Sequence, residues 1–108
     1  MFKFGRKKKE DTFLIEFKVI YGRQLPNRVL ESAQGKAQYL KGYDSLGNPV
    51  FTPSKSDAYK VPRNEVIVVK NCINNLLSRT GVSNYVRDSN FVREGFYPVN
   101  WLLDIVES

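Results

Sequence analysis

The chain has 108 residues, of which 42% are apolar and 26% are charged, with one cysteine and no histidine. This length suits a single domain with a modest core, and the composition is typical of a globular protein, not a disordered one. No apolar run approaches the roughly 20 residues that cross a bilayer. The lone cysteine excludes an intramolecular disulfide, and the N-terminus lacks the apolar region of a signal peptide, so a cytoplasmic location is expected.

The positive charge is concentrated at the N-terminus. The net charge is +6, and residues 1–10, with five cations and one acid, contribute +4 of it. We therefore expect a basic arm over 1–10 and one nearly neutral domain over 11–108. Such an arm attracts polyanions, although a solubilising chain end has the same composition. The cations of the arm are Lys3, Arg6, Lys7, Lys8 and Lys9.

Residues 12–21 predict a β-strand. Alternate positions from Phe13 to Val19 are apolar and predict a core face, whereas the opposite face mixes apolar and charged residues and predicts partial exposure. Beyond Gly22, residues 27–34 fit a helical stripe that Gly35 interrupts. The alternative for this segment is a loop that runs into a strand.

A β-hairpin is predicted over residues 36–52. Its turn lies at 44–48, where Asp, Ser, Gly and Asn favour turn geometry. Regular alternation in the first strand would project Tyr39, Lys41 and Tyr43 from one face. Residues 53–62, which begin and end with proline, predict a polar loop.

Residues 63–81 predict the central helix, with Asn64 as N-cap and Gly81 just past the C-terminal end. Its apolar stripe places Cys72 at the margin, where a buried, inert thiol is expected. The β-branched run at 66–69 leaves open a buried strand over 65–69 followed by a helix from Asn71. The stripe consists of Val66, Val69, Ile73, Leu76 and Leu77.

The last third predicts two further elements. Residues 84–87 and 90–93 share the form Asn-aromatic-Val-Arg and are interpreted as the arms of a tight hairpin. Residues 98–108 predict a terminal helix whose apolar face, including Trp101, packs on the core. The fold class is therefore α+β, an antiparallel sheet of three to five strands with the central and C-terminal helices on one face. A small OB-like barrel is the alternative topology.

Several chemistries are excluded by composition. Without histidine the chain lacks the usual general base near neutral pH and the commonest zinc ligand, and one cysteine cannot form a thiolate metal cluster. The glycines match no phosphate-binding loop. The sequence therefore predicts a protein that is not an enzyme and that uses no cofactor or metal.

Aromatic and basic residues alternate in three of the predicted strands. Rings that stack on bases, beside cations that meet phosphates, are the requirement for sequence-tolerant binding of single strands. The leading hypothesis is a small accessory protein that binds single-stranded or loosely specific nucleic acid through this face and the basic arm. The predicted contact residues of the sheet are Tyr39, Lys41, Tyr43, Tyr85, Arg87, Phe91 and Arg93.

Two other classes remain open from the sequence. The rings can instead be ordinary core residues of a sheet. The competing class is an interaction or assembly subunit, for example a phage or mobile-element accessory protein, without nucleic-acid contact. Its docking surface would be formed by Phe2, Phe4 and the predicted helix that contains Trp101. The basic arm is also compatible with peripheral contact to an anionic membrane.

Overall fold

The computed structural model describes residues 11–87 and 89–108; the predicted basic arm and Asp88 lie outside the described residues. Within these two ranges the fold is α+β, with an antiparallel sheet of six strands and one long helix. The class and the antiparallel sheet are confirmed. The sheet has one strand more than the upper limit expected, and it is open, so the barrel alternative is wrong. None of the helices in the described part of the chain has the length and apolarity needed to cross a membrane.

Strand β1, Thr12–Gln24, is the centre of the sheet. Along one edge it pairs with β6, Tyr97–Glu107, from Phe13 to Gly22, with one bulge between Ile20 and Tyr21. The remaining strands are β2 (Leu30–Gln34), β3 (Gln38–Tyr43), β4 (Pro49–Thr52) and β5 (Val61–Pro62). The other edge of β1 is shared in succession by β5, β3 and β2, and β4 pairs with β3.

The two faces of β1 differ as the alternation predicts. The side chains of Ile15, Phe17, Val19 and Tyr21 are at most 1% exposed and form the centre of the core. We call this side of the sheet the core face and the opposite side the outer face. Leu14, on the outer face, is more buried than expected, at 1% exposed, because a small second cluster covers it.

Helix α1, Val66–Thr80, covers the core face through Val66, Ile73 and Leu77. A single helix is confirmed, and the strand-then-helix alternative is wrong. Gly81, at φ 77°, terminates it and donates its N–H to the Leu77 carbonyl at 2.7 Å.

Two details of α1 differ from expectation. The N-cap is Glu65, not Asn64, because a 3₁₀ turn over Arg63–Glu65 precedes the helix, and no side chain caps its N-terminus. The expected burial of Cys72 is wrong, since its thiol is exposed. Cys72 directly precedes Ile73, which is buried. The rotation of the helix between consecutive residues turns the Cys72 side chain away from the packed stripe.

The helix expected over 27–34 is wrong. A turn closed by the Leu25 N–H and the Val29 carbonyl, at 2.9 Å, leads into β2. Its five residues pair with the C-terminal end of β1. The alternative of a loop that runs into a strand is therefore right. Pairing with β1 satisfies the backbone hydrogen bonds of this segment, whereas Gly35 would have weakened a helix.

The predictions for residues 83–108 are also wrong, except that Trp101 packs against the core. The expected hairpin arms are a 3₁₀ turn, Ser83–Tyr85, and a short helix α2, Ser89–Arg93. The expected terminal helix is strand β6, in which Trp101, Leu103 and Ile105 alternate onto the core face. An apolar pattern such as WLLDIV fits both periods, and the available edge of β1 selects the strand. By contrast, the hairpin predicted over 36–52 is confirmed as β3 and β4.

A hydrogen bond joins β6 to α1, where Trp101 Nε1 donates to Asn74 Oδ1 at 2.9 Å. Asn74→Ala should lower the free energy of unfolding by about 1 kcal/mol, because it removes one side-chain hydrogen bond. Chemical denaturation of Asn74→Ala, Trp101→Phe and the double variant should reveal coupling of similar size. Asn75→Ala, exposed on the same helix, is the control, and an equal cost in both alanine variants would contradict the assignment.

Candidate functional site

The predicted Tyr39–Lys41–Tyr43 surface does not exist as one face. A bulge between Leu40 and Gly42 places Lys41 out of register, so Tyr39 pairs with Thr52 whereas Tyr43 pairs with Pro49. Because an extra residue shifts the alternation by one, the two tyrosines point to opposite faces of the sheet. Tyr39 lies on the outer face and Tyr43 on the side of α1.

Burial removes Tyr39 from solvent. Tyr39 is 8% exposed and packs with Leu14 and Ala58, and the Lys55 Nζ lies 5.6 Å from the centroid of its ring. A nucleic-acid base cannot stack on a ring that these neighbours already cover. The residue therefore has the structural role that the sequence left open for it.

Tyr85 and Phe91 also pack against the core. The Tyr85 ring meets Phe17 and Phe51 edge-on, at centroid distances of 5.7 Å and 5.1 Å, and its hydroxyl donates to the Pro49 carbonyl at 2.8 Å. Phe91 lies 5.0 Å from the ring of Tyr21. Because both rings pack against rings of the core, neither is available to stack on a base.

The two predicted arginines remain accessible and come together. Arg87 and Arg93 are exposed and line one open, mainly apolar depression with Val86 and Val92. Arg87 donates to the backbone carbonyls of Asn84 and Val86. Neither arginine forms an ion pair with a described residue, so both can contact an external anion.

Tyr43 has a neighbour that the sequence did not indicate. Tyr59 is anchored beside β3 by its N–H, which donates to the Leu40 carbonyl at 2.9 Å. Burial raises the pKa of the Tyr43 phenol, and the nearby Cys72 thiol and Tyr59 phenol raise the pKa further. Tyr43 is 49% exposed and Tyr59 42% exposed, so both rings reach solvent. We call this pair the tyrosine rim.

Lysines flank the tyrosine rim along the chain. Lys41 is the bulged residue of β3, Lys60 follows Tyr59, and both are exposed. Tyr59 lies in the segment predicted as a polar loop, which has no periodicity to indicate where its side chain points. Only the contact of this loop with β3 identifies the rim.

A second cavity, which is polar and has a volume of about 260 Å³, lies between the β3–β4 turn and the end of α1. Asp44 Oδ1 holds the turn by accepting the N–H groups of Leu46 and Asn48, each at 2.9 Å. Burial raises the pKa of Tyr85 in its wall; the Asp44 carboxylate raises this pKa further, and the Arg87 guanidinium lowers it.

The outer face carries an exposed apolar cluster near the C-terminal end of β1. We call it the outer patch: Leu30, Tyr97, Val99 and Leu102, each between 46% and 58% exposed. A Cβ built on Gly22 would lie 3.2 Å from Val99 and 3.5 Å from Leu30, so these side chains close over the glycine.

No group of three or more metal-ligating side chains occurs in the described ranges 11–87 and 89–108. Comparison of the chain with protein-family models, curated proteins and solved structures finds no match. Its function must therefore be inferred from these surfaces.

The Tyr85 phenol should make stability sensitive to alkali. Its neutral form is favoured in the folded state, whereas the phenol titrates near pH 10 when unfolded. The resulting stabilisation is complete below about pH 10 and is lost as the pH rises through the native pKa. Tyr85→Phe should be less stable at neutral pH by about 1 kcal/mol, for the lost bond to Pro49, but should lose less between pH 9 and about pH 12. Parallel denaturation curves across that range would contradict this.

Proposed function

We propose that this protein is a non-catalytic binding protein that contacts single-stranded or loosely specific nucleic acid at the tyrosine rim. The observation that carries the proposal is the juxtaposition of two half-exposed tyrosines, Tyr43 and Tyr59, on segments that also present Lys41 and Lys60. Exposed rings stack on bases of any sequence, and neighbouring cations neutralise phosphates. The exposed pair Arg87 and Arg93 and the cations of residues 1–10 add to the positive potential.

This proposal replaces most of the aromatic contacts expected from the sequence. Tyr39, Tyr85 and Phe91 support the fold, and Lys41, Tyr43, Arg87 and Arg93 stay in the proposed interface. Tyr59 and Lys60 join them. The nearly neutral domain implies that much of the electrostatic attraction comes from residues 1–10.

The tyrosine rim can be tested with ring-deleting and ring-preserving variants. Tyr43→Ala/Tyr59→Ala should weaken binding of labelled single-stranded DNA or RNA by about 1–3 kcal/mol for each stacked base. Tyr43→Phe/Tyr59→Phe is the matched control and should keep most of the affinity, because the rings remain. Fluorescence anisotropy at constant salt measures both. Equal affinity in the alanine and phenylalanine variants would remove the rim from the interface.

The N-terminal cations can be tested separately by the salt dependence of binding. Replacement of all four cations Arg6, Lys7, Lys8 and Lys9 by Ala should flatten the plot of log K against log salt concentration. Its slope should decrease by about 0.7 for each lost phosphate contact. The total change should be up to about 3. An unchanged slope would show that these cations do not meet phosphates, whatever the affinity of the rim.

A second candidate, an assembly subunit, is favoured by the outer patch. Four large apolar side chains at about half exposure form a surface typical of protein contacts. If single-stranded DNA, RNA and anionic vesicles all fail to bind at low salt, this candidate is preferred to the first. Binding to vesicles alone would favour the membrane alternative.

A further inference from the structure

The outer patch is not covered by the helices of the described chain. Helix α1 packs on the core face, and α2 places Phe91 against Tyr21 on the same side. Gly22 deepens the contrast, because the absence of a side chain there lets Val99 and Leu30 lie flat over β1. The result is a broad apolar surface that other groups can approach.

The neighbouring sheet edge is protected against strand addition. Strand β6 pairs only with β1 among the described strands. The N–H groups of Trp101 and Ile105 donate at 2.9 Å to the side-chain oxygens of the residues before them, Asn100 and Asp104. These two donors lie an even number of residues apart and so point to the same side of the strand. Local satisfaction of edge donors disfavours pairing with another chain, so association should use the face.

The two ends of the outer patch carry charges of opposite sign. At one end Glu16 and Asp104 are directly opposed across β1 and β6. Lys18 Nζ lies 3.9 Å from Glu16, which leaves Asp104 as the unneutralised acid. At the other end the exposed β1–β2 turn carries Arg28. Neither Asp104 nor Arg28 has an ion-pair partner within residues 11–87 and 89–108.

We propose that the occupant of the outer patch is a second copy of this chain, packed face to face about a two-fold axis perpendicular to the strands. This axis reverses the strand direction, so the acidic end of one copy meets the Arg28 turn of the other while the apolar centres overlap. A two-fold axis parallel to the strands would instead place the Glu16 and Asp104 pair of one copy against the same acidic pair of the other copy. An isologous interface needs this kind of self-complementarity, and opposite charges fix its register.

This inference rests on the second candidate function and is independent of the tyrosine rim, which lies on the opposite side of the sheet. The test is sedimentation velocity of the full chain over a wide concentration range, without nucleic acid. The expected result is a reversible monomer–dimer equilibrium. A protein that stays monomeric throughout overturns the proposal, and nucleic-acid binding by that monomer would leave the rim proposal intact.

Matched substitutions test whether the outer patch forms the dimer. Val99→Asp should raise the dimer dissociation constant at least about tenfold, because Val99 lies at the bulge without a cross-strand partner and the change buries a charge in the interface. Val68→Asp, an equivalent change at a more exposed apolar position on α1, should leave dimerisation unchanged. Circular dichroism confirms that both variants are folded. Equal weakening by both substitutions, or by neither, overturns the assignment.

A charge reversal tests the orientation and does not depend on the apolar variant. Asp104→Arg alone and Arg28→Asp alone should each weaken dimerisation, since each places like charges together. The double variant Asp104→Arg/Arg28→Asp should regain much of the wild-type dissociation constant. A double variant at least as weak as the two single variants would overturn the proposed two-fold arrangement.

Discussion

The constraint on which the rest of the structure depends is the pairing of β1 along both of its edges. Strand β6 occupies one edge from Phe13 to Gly22, and three short strands occupy the other. This satisfies most of the backbone of a strand whose central core-face side chains, from Ile15 to Tyr21, are completely buried. The core is then assembled on that face, as in the stacking of Phe17 on Phe51 at a centroid distance of 4.3 Å. Removal of any one neighbour would expose backbone groups that are costly to leave unpaired.

A central strand covered on one face leaves two separate surfaces for function. The tyrosine rim lies on the side of α1, and the outer patch lies on the opposite side of the sheet. Nucleic-acid contact at the first and self-association at the second therefore would not compete for the same residues. A dimer would carry two rims and two basic N-terminal segments, which would raise the affinity for a long strand by effective concentration.

Two bulges decide which side chains reach these surfaces. The bulge at Lys41 turns Tyr43 away from Tyr39 and toward α1, and the bulge opposite Ile20 and Tyr21 brings Val99 onto the outer face with Tyr97. Each inserts one residue into a period of two, so every side chain beyond it changes face. Gly42, next to Lys41, is the local signal of this insertion, because an isolated glycine within a strand is typical of a bulge. Alternation alone does not include this signal and therefore predicted a single Tyr–Lys–Tyr surface.

Local pattern was sufficient for β1, α1 and the Asp44 turn, because alternation, a 3.6-residue stripe and turn-forming residues act over a few neighbours. It also established that histidine and cysteine-pair chemistry is missing. Long-range contact decided the rest: residues 97–107 form a strand because β1 offers an edge, although their apolar pattern also fits a helix. The same contacts bury Tyr39, Tyr85 and Phe91 and bring Tyr59 to Tyr43. Burial depends on which distant segments meet, and that information lies in the packing of the whole chain.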